Sequence, residues 1–322
     1  MKKIFISVLA LAALASRSNE DNMMMDNDNN SRVAIVPNAN IENNVISRAA
    51  VEGKTFSKGD DVFRLCAFLA SGDAEPQDWT ATFGTEAFED MQVNCSDGGN
   101  LSLNTSKYYP ASGSGNKLWF YAYAPYQAGK YQSAGTGPTV RYAITGQEDI
   151  MTGQVTGQNG FAGAAKNEQQ LHPALEFKHL LKKITFKVKA GDTFDASSNT
   201  KVTEIVVKNV KTNAILNVTK GTLEFEGGAT NNLRLTGLDA AITKDGTVVN
   251  GCLMFEAGTE FIVSVTAGGV AYADATVKLS GNNAGQAGVS HEVTLTFNRS
   301  GIIPTATIVD WVQGDGTNVD IQ

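Results

Sequence analysis

The chain has 322 residues, 42% of them hydrophobic, and a formal net charge of −7. That apolar content excludes a disordered protein, and the length can bury the core of one large or two ordinary domains. Lys and Arg form no cluster interleaved with aromatics, so the electrostatic footprint of a nucleic-acid partner is missing.

Met1, Lys2 and Lys3 make a short basic start, and residues 4–15 are an apolar run too short to span a membrane as a helix. This pattern predicts a signal peptide over residues 1–17 and hence export. The segment Leu14-Ala15-Ser16 leads up to a lipidation site, but Arg17 stands where a lipoprotein carries cysteine. A diacylglycerol anchor needs sulfur, so Arg17 marks a lost lipidation position. Either that position has been altered, or ordinary signal peptidase cuts near Ala15. Residues 18–31 form a flexible polar leader. Asp26 and Asp28 there lack the turn Gly and closing Glu of a calcium loop.

Val33, Ile35, Ile41 and Val45 punctuate a first strand-like region, which ends in Ser47-Arg48-Ala49-Ala50. Gly59-Asp60-Asp61 predicts a turn ahead of the buried run FRLCAFLA. In LWFYAYAPY, Trp119, Tyr121 and Tyr123 alternate with Phe120, Ala122 and Ala124, the period of a strand, and Pro125 ends it. Residues 153–170, rich in Gly, Ala, Gln and Asn, read as a connection. Ile184, Phe186 and Val188 then alternate with Thr185, Lys187 and Lys189, giving a strand with one apolar and one basic side. Further strand patterns, separated by turn residues, follow to the C-terminus at β-sandwich spacing. Sustained helical periodicity and βαβ alternation are both missing. The predicted fold is all-β, with one sandwich over residues 32–171 and a second over 172–322.

Chemistry is sparse. His172, His179 and His291 match no zinc spacing, and Cys66, Cys95 and Cys252 contain no CxxC pair. Cys66 and Cys252 lie in apolar runs and read as buried thiols. His179 reads as a structural histidine. Glu224 and Glu226 share one side of a strand, which is how a solvated face looks. Trp79, Trp119 and Trp311 offer a sugar platform or, more commonly, packing. Nucleophile-elbow, phosphate-loop and dinucleotide motifs do not occur. No catalytic residue, metal ligand or cofactor is expected, and the chain is not read as an enzyme.

Four segments in order resemble one family. SRAAVEGKTFSKGDDV is similar to its Arg-Ala step and Gly-Asp turn. KLWFYAYAPY is similar to its aromatic strand closing on Ala-Tyr-Ala-Pro. GQEDIM with LEFKHLLKKITFKVKAG resembles its central segments, with Lys182 where Ser is usual. ATIVDWVQGDG resembles its closing Ile-x-x-Trp-x-x-Gly. The family is that of the fimbrillin or Mfa-like type V pilins of Gram-negative anaerobes, and the resemblance spans residues 45–316.

The resemblance implies two tandem transthyretin-like β-sandwiches and a structural role in a surface fimbria that supports adhesion. It implies a precursor carried to the outer membrane and a trypsin-like, Arg-specific protease that removes the first strand. It also implies head-to-tail partners, other copies of the chain or related pilins, whose C-terminal segment fills the vacated groove. On that reading Arg48 and Ala49 flank the cleavage point, with Arg32 as the alternative. Residues 306–321 are the donor strand, with Ile308, Val312, Val319 and Ile321 as plugs and Trp311 packed near its base. The competing reading is a monomeric surface module of the same fold that binds a glycan or a host protein.

Overall fold

The computed structural model describes residues 33–41, 56–76, 79, 86–111, 114–155, 159–161, 173–228, 230–299 and 301–309. Strands dominate them. In the first part of the chain these are β1 (Asn38–Ile41), β2 (Gly59–Ser71), β3 (Phe88–Cys95), β4 (Leu101–Leu103), β5 (Asn116–Ala124), β6 (Tyr131–Gln132), β7 (Thr139–Ala143), β8 (Met151–Val155) and β9 (Ala174–His179). In the second part they are β10 (Lys182–Ala190), β11 (Lys201–Lys211), β12 (Asn213–Asn217), β13 (Thr222–Phe225), β14 (Thr230–Ala241), β15 (Thr247–Phe255), β16 (Glu260–Ala267), β17 (Val270–Ala271), β18 (Ala275–Lys278), β19 (Ser290–Asn298) and β20 (Gly301–Val309). A short 3₁₀ turn, Ala196–Ser198, separates β10 from β11. The all-β expectation holds.

The first sheet runs β1-β9-β8-β5-β2-β3-β4. Its central strands are apolar on both faces because both faces are covered. Phe63, Leu65 and Ala67 of β2 join Leu118, Phe120 and Ala122 of β5 in one core. Cys66, Phe68, Tyr121 and Tyr123 turn to the opposite face. This is the alternation expected for the aromatic strand, with side chains on successive residues pointing to opposite sides. It also explains why FRLCAFLA reads as a nearly unbroken apolar run. Where β8 crosses β9, Gly153 sits opposite Phe177. A Cβ there would come within 2.7 Å of the Phe177 ring, so glycine lets the ring approach the β8 backbone closely.

The tyrosine-bearing face is covered by a second sheet, β13-β12-β7-β6, with Val140, Tyr142, Ala214 and Leu216 completing the core. Two of its strands, β12 and β13, come from the second part of the chain, directly after β11. Conversely, residues 174–179 complete the first sheet through β9.

The remaining strands form a second sandwich. One layer is β15-β10-β19-β20, and the other is β14-β11-β16-β17 with β18 also paired to β16. β10 runs parallel to β19 and antiparallel to β15. Ile184, Phe186 and Val188 are fully buried between the layers, while Lys189 faces solvent. Period-two patterning on β11, β16 and β19 supplies much of the rest of this core, including Ile205, Val207, Val263, Val265, Val293 and Leu295.

Candidate functional site

The strongest structural candidate is the edge of the first sheet. Over residues 35–41 every odd-numbered residue is buried and every even-numbered one is exposed. Ile35, Ala39 and Ile41 are each 3–5% exposed and enter the core beside Phe63 and Phe177. Strict period two is how a strand serves as a one-sided plug. The backbone is held at two places. The Ile35 N–H donates to the Lys107 carbonyl at 2.8 Å, and the Tyr109 N–H donates to the Val33 carbonyl at 2.9 Å. Further on, β1 pairs in parallel with β9, Asn38 opposite Ala174 through Ile41 opposite Phe177.

Beneath Ile41 lies a trio of rings. Phe56, Phe63 and Phe177 stand 4.9–5.0 Å apart, centroid to centroid. Among the described residues β1 is an edge strand bound laterally by β9, and its loss would bare both an apolar seat and the outer ladder edge of β9. The early apolar punctuation of the sequence at Val33, Ile35 and Ile41 pointed here. Arg48, Ala49 and Arg32 lie outside the described residues, as does Arg17.

At the other end of the chain, β20 pairs antiparallel with β19 at the edge of its sheet. Ile302 and Ala306 pack on the second sandwich's core. Ile303 is 58% exposed and Ile308, opposite His291, is 40% exposed. Pro304 is tolerated within this strand because one side of an edge strand has no ladder to serve. Residues 306–309, the start of the expected donor segment, are thus engaged with β19. Trp311, Val312, Val319 and Ile321 lie outside the described residues.

Titratable groups elsewhere serve the fold. His179 Nδ1 lies 2.7 Å from Asp149 Oδ1. The buried His291 accepts the Gly285 N–H at Nε2, 3.1 Å away, and burial with the nearby Lys182 charge holds its pKa below the ordinary value, favouring the neutral ring. Arg64 binds both carboxylate oxygens of Asp61, donates to the Asp90 carbonyl, and stacks 3.6 Å over the Tyr126 ring. Tyr123 donates to the Asp90 carboxylate.

All three thiols are free. Cys66 is fully buried and its pKa is pushed up to about 12, mainly by desolvation. Cys252 is only half-buried. Trp79 packs edge-on against Phe68 and Tyr121, a core arrangement. Glu226 pairs with Arg141 on the surface. Among the described residues no group of three or more His, Cys, Asp or Glu is placed to hold a metal ion, and no helix is long and apolar enough to cross a membrane.

One residue escaped the sequence reading. Lys182, marked in the sequence only as standing where Ser is usual, is 1% exposed. Parity held the signal: residue 182 is in phase with Ile184, Phe186 and Val188, so period two turns it inward.

These features define a class, an all-β sandwich protein whose first and last described strands both lie on sheet edges. The chain belongs to the fimbrillin-like family, whose sequence profile matches residues 20–311. Solved structures of the same fold include a putative cell adhesion protein from Bacteroides uniformis. It is 19% identical, with 87% of this chain and 99% of that one covered and a TM-score of 0.57. A putative cell adhesion protein from Bacteroides ovatus is 18% identical, with 88% and 100% covered and a TM-score of 0.58. A fimbrial protein from Bacteroides vulgatus is 16% identical, with 85% and 98% covered and a TM-score of 0.54. No curated protein sequence matches. Family membership implies an exported cell-surface protein that associates with other fimbrial subunits and has a structural or adhesive role.

Proposed function

We propose that this chain is a structural subunit of a type V fimbria that polymerises by protease-triggered strand exchange. The observation that carries the reading is the plug-like edge segment 35–41, with its odd-numbered side chains in the core and its β1 backbone paired, among the described residues, to β9. An Arg-specific, trypsin-like protease cuts between Arg48 and Ala49, downstream of β1, so that the strand leaves with the cleaved peptide. The vacated seat over Phe56, Phe63 and Phe177 then takes residues 306–321 of a neighbouring copy or related pilin. A donated strand restores ladder hydrogen bonds and fills the pockets together. Because donor and acceptor are different surfaces, the contact does not close and a fibre grows.

On this reading the precursor associates with the outer membrane, without the lipid that Arg17 denies it. The subunit has two transthyretin-like domains. The two domains are placed at residues 32–171 and 172–322, although residues 174–179 pair within the first sheet and β12 and β13 lie in the sheet that covers it.

The test is trypsin treatment of the purified protein. SDS-resistant ladders in unheated samples are expected, and Arg48→Ala should abolish them. Ladders that persist in Arg48→Ala would refute the cleavage site. A trimmed but monomeric product would favour the second reading, a surface binding module. The pairing of residues 306–309 with the chain's own β19 supports that alternative, since part of the candidate donor is already engaged.

A further inference from the structure

An asparagine followed by glycine is chemically labile, because glycine has no Cβ to keep its nitrogen away from the asparagine side-chain carbonyl. The sequence contains two such steps, Asn159-Gly160 and Asn250-Gly251. The fold treats them in opposite ways.

Asn159 is clamped. Its Oδ1 accepts the Phe120 N–H at 3.1 Å and its Nδ2 donates to the Phe120 carbonyl at 3.1 Å, so the side chain stands in for a strand partner of β5. The Gly160 N–H, whose nitrogen would have to attack, donates to the same Oδ1 at 3.0 Å. Leu118 and Phe161 exchange backbone hydrogen bonds of 2.8 Å in both directions, which fixes the main chain on β5. Gly160 also lies against the indole of Trp119, where a Cβ would come within 3.1 Å of the ring.

Asn250 lacks these restraints. It lies on β15, at the edge of its sheet among the described residues. Thr185 of β10 pairs with Cys252 and Lys187 with Val248, so Val249, Asn250 and Gly251 bulge opposite Phe186 alone and have no ladder partners in β10. Asn250 and Gly251 are both exposed. The Asn250 side chain makes no hydrogen bond among the described residues. Gly251 has a φ of +93°, and a Cβ there would meet the tip of Leu235 at 3.3 Å and nothing else within 4 Å. Its nitrogen is therefore open to the neighbouring side chain.

We propose that Asn250 is a site of spontaneous deamidation in the folded protein and that Asn159 is protected by its clamp. The Gly251 nitrogen gives up its proton and bonds to Cγ of Asn250. The Cγ–Nδ2 bond breaks, and Nδ2 takes that proton and leaves as ammonia, so a cyclic imide remains. Water then adds to either imide carbonyl. Breaking that carbon's bond to the ring nitrogen yields aspartate or isoaspartate. The product sets a carboxylate on an exposed sheet edge, where charge opposes pairing with another strand. The site is remote in sequence from the β1 seat and owes nothing to the fimbrial reading, so either can fail alone.

The experiment is incubation of the purified full chain in mildly alkaline buffer, with and without urea. Peptide mapping by mass spectrometry follows, with digestion at mildly acidic pH and isoaspartate detected by enzymatic methylation. In the native protein Asn250 should convert about tenfold faster than Asn159 or more, since Asn159 must first break two hydrogen bonds to Phe120. Both aspartate and isoaspartate should appear at position 250. In urea the two steps should react at similar rates, because the clamp is gone. Three results overturn the proposal: equal native rates at the two positions, an Asn250 that stays intact in the native chain while reacting in urea, or aspartate without isoaspartate.

Discussion

Ile41 is the side chain on which the edge strand's hold can be measured. It is 3% exposed, lies opposite Phe177 in the parallel ladder, and belongs to the same core as Phe56 and Phe63. Ile41→Ala removes three carbons worth about 0.8 kcal/mol each in transfer free energy, or roughly 2.4 kcal/mol. Incomplete collapse of the seat adds a cavity contribution, placing the total at about 2–4 kcal/mol. Asn40, one residue earlier, points to solvent, and Asn40→Ala should stay within about 0.5 kcal/mol.

Urea unfolding of both variants measures the difference, and hydrogen exchange along β9 locates it. In Ile41→Ala the β9 amides facing β1 should lose protection ahead of the central strands, because an edge strand can open locally. If Ile41→Ala costs no more than Asn40→Ala, or if exchange along β9 is unchanged, β1 is not the plug described here. Under the strand-exchange proposal the same substitution should hasten ladder formation after trypsin treatment, since the departing strand is held less tightly.

Two further outcomes follow from buried groups. Lys182 has a folded-state pKa of about 8 against its ordinary 10.5, so between those values the unfolded chain binds the extra proton and wild-type stability rises with pH. The corresponding penalty below pH 8 is of order 3 kcal/mol at most. In unfolding titrations, the stability of Lys182→Met relative to wild type should therefore be greatest below pH 8 and decline towards pH 10.5; a pH-independent difference would contradict the burial. For the thiols, a disulfide reagent at pH 8 should modify Cys252 in the native protein and reach Cys66 and Cys95 only in denaturant, because both of these are buried. Native labelling of Cys66 at the rate of Cys252 would contradict the packing of β2.

Local pattern was enough to expose much of the molecule. The alternation of Trp119, Tyr121 and Tyr123 with Phe120, Ala122 and Ala124 announced β5 and its two faces, and the same period at Ile184, Phe186 and Val188 announced β10. The apolar punctuation at Val33, Ile35 and Ile41 already marked the first strand region. Such features are legible because side-chain direction in a strand depends only on residue parity.

Pattern says which side of a strand is apolar, not which sheet will cover it. Only the tertiary structure seats residues 174–179 between β1 and β8 and sends β12 and β13 across to cover the tyrosines of the first sheet. It alone makes β10 and β19 parallel neighbours and lays 306–309 on β19. These are pairings between distant segments, chosen by the fit of whole faces. The burial of Lys182 against Phe255 and Phe261 is of the same kind: parity turns the amine inward, but the rings and the Gly258 carbonyl that receive it arrive from more than seventy residues away.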